Sequence, residues 1–592
     1  MVKRKAFIEK GKNVYIVLVL SFVFSVVLRT GLGLLCGQMN VFYDELLHWN
    51  LSKSVYYGLG SNFRNEILSY KEILYSIVIS ISHAFGDIKT QYHVALGINS
   101  LLMSSVIFPV YFMSNRFLKN RQYSLIIAII SILIPEMYYT TKILQENLYY
   151  PMVIWFFYLF IFLILDDPYR IRNVVLLAVL LFFASLCKQM GLNLFTGVLL
   201  YYFLQFLIFD KDNRKECLIS MLFFVTVFAS LKFTYDTLFD IVNHISGESS
   251  SEVTIVVIIR NLLDGYLLPR LIFPVLSYCL LSILYFGYFT VILPLSIADK
   301  LDSKERNLLL ITGSVLISTI LVIALRIVPD ENLDEIQIRF HFRYMFFLMV
   351  PLLMVFFRIY DKIKTYDFPY KIIILSVVYI FLLRLISIQP AEGSTIDCVG
   401  ANYIKYLFNS DMMVNTLYML IILGIAGAVY LLYKKKVKVF YTCMVTALLL
   451  MGIISNIYTY IYIHNDKQNS VNKNEDAIAL NHYFKEQPDF DWKSLLIVSE
   501  KNASDAKLEC FLDRPDYYYT KTEDFMDYIN QYPQDSFWNM NLYSFNHMFH
   551  DQDIGYPKYI ITNKEIYING YRRVNLNLRR YCLYVRYEGN AE

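Results

Sequence analysis

Apolar residues along the chain gather in long blocks divided by short polar stretches, and a run of roughly 20 such residues is enough to span a bilayer as a helix. The blocks place membrane-spanning helices near 14–36, 93–114, 123–141, 148–165, 174–187, 193–209 and 218–239, then near 273–297, 308–328, 344–359, 372–388, 413–433 and 439–463. The block at 174–187 is the shortest of the thirteen. A further apolar run, Ile73–Phe85, is interrupted by Ser76, Ser80 and His83 and reads as a helix lying on the membrane surface. After residue 464 the pattern changes. Short apolar runs such as Ser494–Val498 and Tyr559–Ile561 alternate with polar helical stretches, which is the signature of a small α/β domain. The expected architecture is an all-α polytopic membrane bundle over 1–464 followed by an α/β domain over 465–592.

Composition agrees with the blocks: 56% of residues are hydrophobic and 18% charged, against about 25% charged in soluble domains. Disorder, collagen-like repeats and disulfide-rich scaffolds are excluded, since the chain has 22 Gly, 15 Pro and 8 Cys without repeated spacing. Basic loops stay cytoplasmic. Lys3, Arg4, Lys5, Lys10 and Lys12 precede the first span, and every second loop is basic: Arg116/Lys119/Arg121, Arg170/Arg172, Lys211/Arg214/Lys215, Lys300/Lys304/Arg306, Arg358/Lys362/Lys364 and Lys434–Lys438. The pattern predicts a cytoplasmic N-terminus and an extracytoplasmic C-terminal domain, and it requires an odd number of spans. No small-x-small cleavage site ends the first apolar run, so it is read as an uncleaved helix. The tail from Asp466 carries 15 Lys+Arg against 20 Asp+Glu, near −5, so the formal charge of +4 conceals a membrane part near +9. Cys510 and Cys582 lie in this tail, and pairing and two buried thiols are both open. Basic residues spread over loops give no footprint for nucleic acid.

The chemistry-bearing residues cluster at the predicted outer side. The first outer loop, 37–91, is too long for a connector. It opens with Asp44-Glu45, two adjacent carboxylates at a membrane boundary, which fit either a helix start or a functional pair. Glu146, in Gln145-Glu146-Asn147 with Pro151 following, stands at the mouth of the fourth span, and a solvated loop acid is the competing reading. Lys188 is a lone cation between two apolar spans. Arg339, His341 and Arg343 alternate before the tenth span and suit either an anionic headgroup or interfacial anchoring. Arg29, Lys232, Arg326 and Arg384 fall in the outer halves of their helices, where snorkelling accounts for each singly. Taken together with Lys188, Arg339 and Arg343, they suggest a positive pocket for a lipid-linked phosphate.

In order, side and spacing, these features resemble the type C glycosyltransferases, multi-span enzymes that take sugars from polyprenyl-phosphate carriers, and within them the protein mannosyltransferase and aminoarabinose transferase branch with its bacterial relatives. The resemblance covers roughly residues 1–360. It rests on Asp44-Glu45, the Tyr70–Gly86 surface helix, Gln145-Glu146-Asn147 with Pro151, Lys188-Gln189, and Arg343-Tyr344 leading into Pro351-Leu352-Leu353. Lys188 departs from the Arg-x-Gln more usual in relatives, a point charge where a fork of donors is expected. The resemblance implies a GT-C fold and transfer of a sugar from a polyprenyl-phosphate donor to an envelope glycan, lipid or protein on the outer face. Asp44 would act as general base, Glu45 and Glu146 would orient the acceptor or support charge on the sugar, and Lys188, Arg339, His341 and Arg343 would hold the donor phosphate. No cofactor is required by this chemistry, although some type C enzymes use a divalent cation with carboxylates.

Two other classes compete. A transporter of lipid-linked saccharides would also need a positive lipid site, but not paired carboxylates in a long outer loop, and the chain has no convincing internal repeat. A polysaccharide polymerase or ligase would carry one large late outer loop, whereas here the largest loop between spans is the first.

Overall fold

The computed structural model describes residues 2–36, 43–243, 267–327, 340–365, 370–384, 386, 397–400, 411–470, 475–500, 508–532, 540–543, 548–549 and 555–587. Among these, eight helices are long and apolar enough to cross a membrane, and two further pairs of helices do so as bent spans. Shorter apolar helices at Ile171–Cys187 and Tyr370–Leu383 cover two of the remaining predicted blocks. The protein is a multi-pass membrane protein.

Three predicted spans are not single straight helices. Arg121–Ser131 and Pro135–Thr141 meet at 48°, because Pro135 has no N–H to offer and holds Ile134 extended, at ψ 150. Leu271–Tyr285 and Tyr288–Ser296 meet at 103° across Gly287, whose φ of 86 few other residues adopt. The block at 344–359 is helical only over Met349–Arg358, preceded by 3-10 turns at Phe342–Tyr344 and Phe346–Leu348. Pro351 cannot donate to the carbonyl of residue 347, which removes one bond from any helix that would continue upstream.

The loops sort onto two faces. On one, Asp166 receives Arg116 at 2.6 Å and Lys304 at 2.5 Å, while Glu305 receives Arg358 at 3.5 Å and Lys362 at 2.5 Å. The opposite face carries the first long loop and the C-terminal domain, and is called here the domain face. The domain is built on a sheet of β1 (Leu495–Ser499), β2 (Tyr518–Lys521), β3 (Tyr559–Thr562), β4 (Tyr571–Val574) and β5 (Cys582–Arg586) in the order β2-β1-β3-β5-β4. β1 runs parallel to β2 and β3, and β5 antiparallel to β3 and β4. Every residue of β1 and β3 is buried, as befits central strands covered on both faces. Leu495, Ile497 and Ile561 pack with Leu480 and Phe484 of the helix Glu475–Glu486. The alternate residues Leu496, Val498 and Ile560 pack with Phe525 of the helix Thr522–Gln531. Cys510 and Cys582 form no disulfide.

After the first span, α1 (Val2–Leu35), the helix α2 (Tyr43–Tyr56) lies between bundle and domain, and every residue in it from Glu45 to Ser54 is buried. Its sequence is polar on several sides, so burial requires partners all round. Trp49 Nε1 donates to the Cys510 carbonyl at 2.7 Å. Lys53 Nζ donates to the carbonyls of Cys510 and Leu512 at 2.9 and 2.6 Å. Ser52 and His83 Nε2 are 2.8 Å apart, and the other nitrogen of His83 meets Gln91 Oε1 at 2.9 Å. A tight hairpin follows, pairing Phe63 with Glu66 across Arg64-Asn65, both with positive φ. It aims Arg64 at Glu509 in a two-pronged contact of 2.7 and 2.6 Å, with the Tyr517 hydroxyl donating to the same carboxylate. The predicted surface helix is present as Leu74–Ser80 with a 3-10 turn Ile81–Ala84. Ile77, Ile81 and Phe85 face outward, while Ser76, Ser80 and His83 face the protein.

Glu509→Ala is expected to cost about 3 kcal/mol by leaving the Arg64 guanidinium buried without its anion, read as thermal unfolding in detergent. The double change Arg64→Met with Glu509→Met should recover much of that loss. Burial holds His48 and His83 down to about 4. Their unfolded forms take up protons from about pH 6.5 downward, so stability should fall between there and pH 4 and level off below. Melting curves of His83→Gln should show a shallower fall over the same window.

Candidate active site

The predicted site residues that the structure describes come from four elements of the domain face. Asp44 stands in the first turn of α2, and its side chain is 51% exposed. Glu146 opens the helix Glu146–Leu159, where the N-terminal dipole favours an acid. Lys188 sits in the turn between Ile171–Cys187 and Gly191–Leu204. That turn is tight enough that a Cβ on Gly191 would lie 2.5 Å from the Ser185 nitrogen, so glycine is what lets the two helices close up around Lys188. His341 and Arg343 belong to the 3-10 turn before Met349–Arg358.

Arg343 is the hub. Its Nη1 lies 3.3 Å from Asp44 Oδ2 and 3.8 Å from Glu146 Oε1, its Nε lies 3.1 Å from Asp397 Oδ1, and its Nη2 donates to the Tyr344 hydroxyl at 2.7 Å. Lys188 forms a short ion pair with Glu146 and lies over the Tyr344 ring, 4.8 Å from its centroid. His341 Nδ1 is 3.1 Å from the same Asp397 oxygen, and its ring stacks on Tyr344. Glu146, Lys188 and Asp397 are buried, so in this cluster Asp44 is the acid most open to solvent. Burial lowers the pKa of the Lys188 ammonium, and Glu146 opposes that shift. Burial raises that of the Tyr70 hydroxyl, which accepts from Gln145 Nε2 at 2.7 Å and so ties the loop beside Glu146 to the segment leading into the surface helix.

Asp44, Glu146, Lys188, His341 and Arg343 are therefore brought together. Glu45 is not. One residue along α2 points about 100° around the helix, and Glu45 is fully buried, with Oε1 accepting from the Ile143 N–H at 2.9 Å. It belongs to the scaffold that holds the Lys142–Ile143 segment, not to the ion cluster. Arg339 lies outside the described residues, as does the side chain of Arg326. The wider set of cations does not converge as expected. Buried Arg29 donates to the Ile132 carbonyl at 3.2 Å, Lys232 pairs with Asp236 one turn on, and Arg384 donates to Asn415 while lying over Tyr418. Each of these three has a partner near its own helix, and none of these contacts reaches the Arg343 cluster.

The sequence reading missed Asp397. A signal was there: it is a lone acid in the apolar stretch Ile396–Val399, and the argument applied to Glu146 applies to it equally. Among the described residues, no group of three His, Cys, Asp or Glu side chains is arranged to hold a metal ion.

No protein-family model matches the sequence, and no curated protein matches it. Solved structures do. ArnT from Cupriavidus metallidurans in the apo state superimposes with a TM-score of 0.50 at 12% identity, covering 96% of this chain and 97% of that one. ArnT of the same organism bound to undecaprenyl phosphate gives a TM-score of 0.50 at 13% identity, covering 97% of this chain and 99% of that one. The likeness runs through bundle and domain alike, and it is one of fold: the chain has the GT-C architecture.

The two neighbouring acids should separate in a stability measurement. Glu45→Ala is expected to cost about 1–3 kcal/mol, since a buried N–H loses its acceptor. Asp44→Asn, at a half-exposed position and with Glu146 and Asp397 still beside Arg343, should cost less, about 1 kcal/mol or under.

Proposed function

Starting from a chain with the GT-C fold, we propose that this protein is a membrane glycosyltransferase that moves a sugar from a polyprenyl-phosphate carrier to an acceptor of the cell envelope at the domain face. The observation that carries this reading is the cluster around Arg343: two cations, Lys188 and Arg343, held side by side by buried Glu146, with a solvent-open carboxylate, Asp44, on the same guanidinium. The ArnT structure with undecaprenyl phosphate supports a polyprenyl-phosphate donor. The alternation of basic loops supports placing the domain face outside the cytoplasm.

The chemistry follows from the charges. A polyprenyl phosphate leaves readily once its developing charge is stabilised, and Arg343 and Lys188 supply that stabilisation in a site where burial strengthens it. A phosphate approaching Nη1 of Arg343 competes with Asp44, whose contact of 3.3 Å is already long. Displaced from the guanidinium, the Asp44 carboxylate is free to accept a hydrogen bond from the acceptor hydroxyl. It then takes the proton of the acceptor hydroxyl as that oxygen bonds to the anomeric carbon. The bond from that carbon to the phosphate oxygen breaks, the electron pair leaves with the polyprenyl phosphate, and the anomeric centre inverts. His341 assists from beside Arg343, and Tyr344 forms the shared floor beneath the Lys188 and Arg343 cations.

Transfer from a polyprenyl-phosphate-linked sugar tests the reading. Asp44→Asn is expected to lose activity by about 100- to 10,000-fold while remaining folded. Full activity in that variant removes Asp44 from the mechanism.

A further inference from the structure

Asp397 belongs to the chain between the helices Tyr370–Leu383 and Asp411–Tyr433, far in sequence from the residues it touches. Its side chain is 1% exposed. One oxygen, Oδ1, lies 3.1 Å from Arg343 Nε and 3.1 Å from His341 Nδ1, and its main-chain carbonyl accepts from the Arg343 N–H at 2.8 Å. Side chain and backbone of one residue thus hold both ends of Arg343.

A guanidinium has five donors in a rigid plane, so fixing one edge decides where the others point. Asp397 Oδ1 meets Nε as an ion pair and not as an aligned hydrogen bond, its main-chain carbonyl holds the Arg343 N–H, and the Tyr344 hydroxyl receives Nη2. What remains toward Asp44 and Glu146 is Nη1. Without an anion on the Nε edge, the guanidinium could swing toward Glu146, which Lys188 already neutralises, and the corner offered to an incoming phosphate would be lost. The Asp397 charge also lowers the cost of setting two cations, Arg343 and Lys188, against the same buried Glu146.

We propose that Asp397 is a positioning residue of the donor-phosphate site: it orients the Arg343 fork and the His341 ring and makes no contact with the phosphate itself. This rests on the reading of Arg343 as a phosphate-binding group, and the test separates the two. Undecaprenyl phosphate is titrated against the purified full-length protein in detergent, for the unmodified chain, Asp397→Asn, Arg343→Gln and the double variant. Asp397→Asn is expected to weaken binding about tenfold, the scale of one charge-assisted contact. In the Arg343→Gln background the same change should add nothing, because the residue acts through Arg343. Unchanged affinity in Asp397→Asn overturns the proposal, and so does an equal loss with and without Arg343, the mark of a merely structural role. If Arg343→Gln binds as well as the unmodified chain, the phosphate-site reading fails first and this inference with it. Should Asp397→Asn not fold, Asp397→Glu carries the same test. It keeps the charge but shifts it by one methylene, and its loss must likewise vanish without Arg343.

Discussion

A guanidinium cannot be largely enclosed at the edge of an apolar bundle unless anions surround it, and the Arg343 side chain is 12% exposed there. Asp44, Glu146 and Asp397 meet that requirement from three separate regions of the chain: the first long loop, the mouth of the helix Glu146–Leu159, and the segment before Asp411–Tyr433. One buried charge therefore fixes how three parts of the domain face approach each other. Lys188 enters through Glu146 and a glycine-tight turn, and Tyr344 lies under both cations. The cluster needs the fold around it, and the convergence of these elements needs the cluster.

The same logic extends outward through α2. This helix presents Asp44 at its exposed start and is buried for the next several turns, so its placement is set by what encloses it. On one side are the bundle and the surface helix; on the other are carbonyls of Cys510 and Leu512 and the Glu509 carboxylate. The C-terminal domain is thus part of the frame that aims Asp44. Arg64 accepts a left-handed backbone conformation at the hairpin turn, and its two-pronged bond to Glu509 compensates for that strain.

Charge divides its work between the two faces. Away from the domain, pairs such as Arg116 with Asp166 are half exposed and contribute little to stability, while the excess of basic residues there carries the topological signal. In the Arg343 cluster on the domain face the charges are shared, and all but Asp44 are largely buried. That contrast explains why the cations scattered within the spans misled the sequence reading. Arg29, Lys232 and Arg384 look alike in sequence to Lys188 and Arg343, yet each meets a neighbour at hand: a carbonyl where the helix Arg121–Ser131 breaks, an acid one turn away, or an amide on the next helix.

Much of the architecture was legible in the chain because the bilayer imposes it residue by residue. Long apolar blocks must be helices, and the short alternating runs such as Ser494–Val498 and Tyr559–Ile561 mark a domain built on strands. Four of the ion-cluster residues were also legible as charges in costly places: Asp44, Glu146, Lys188 and Arg343. Periodicity did not separate Asp44 from Glu45, because which of two adjacent acids faces the solvent depends on how α2 is rotated between bundle and domain. Nor did it place the breaks at Pro135 and Gly287 within otherwise continuous apolar blocks, or join Asp397 to Arg343. Those are long-range pairings: the cost of burying a charge is local and can be read in the sequence, but the partner that offsets it is chosen only when the chain has folded.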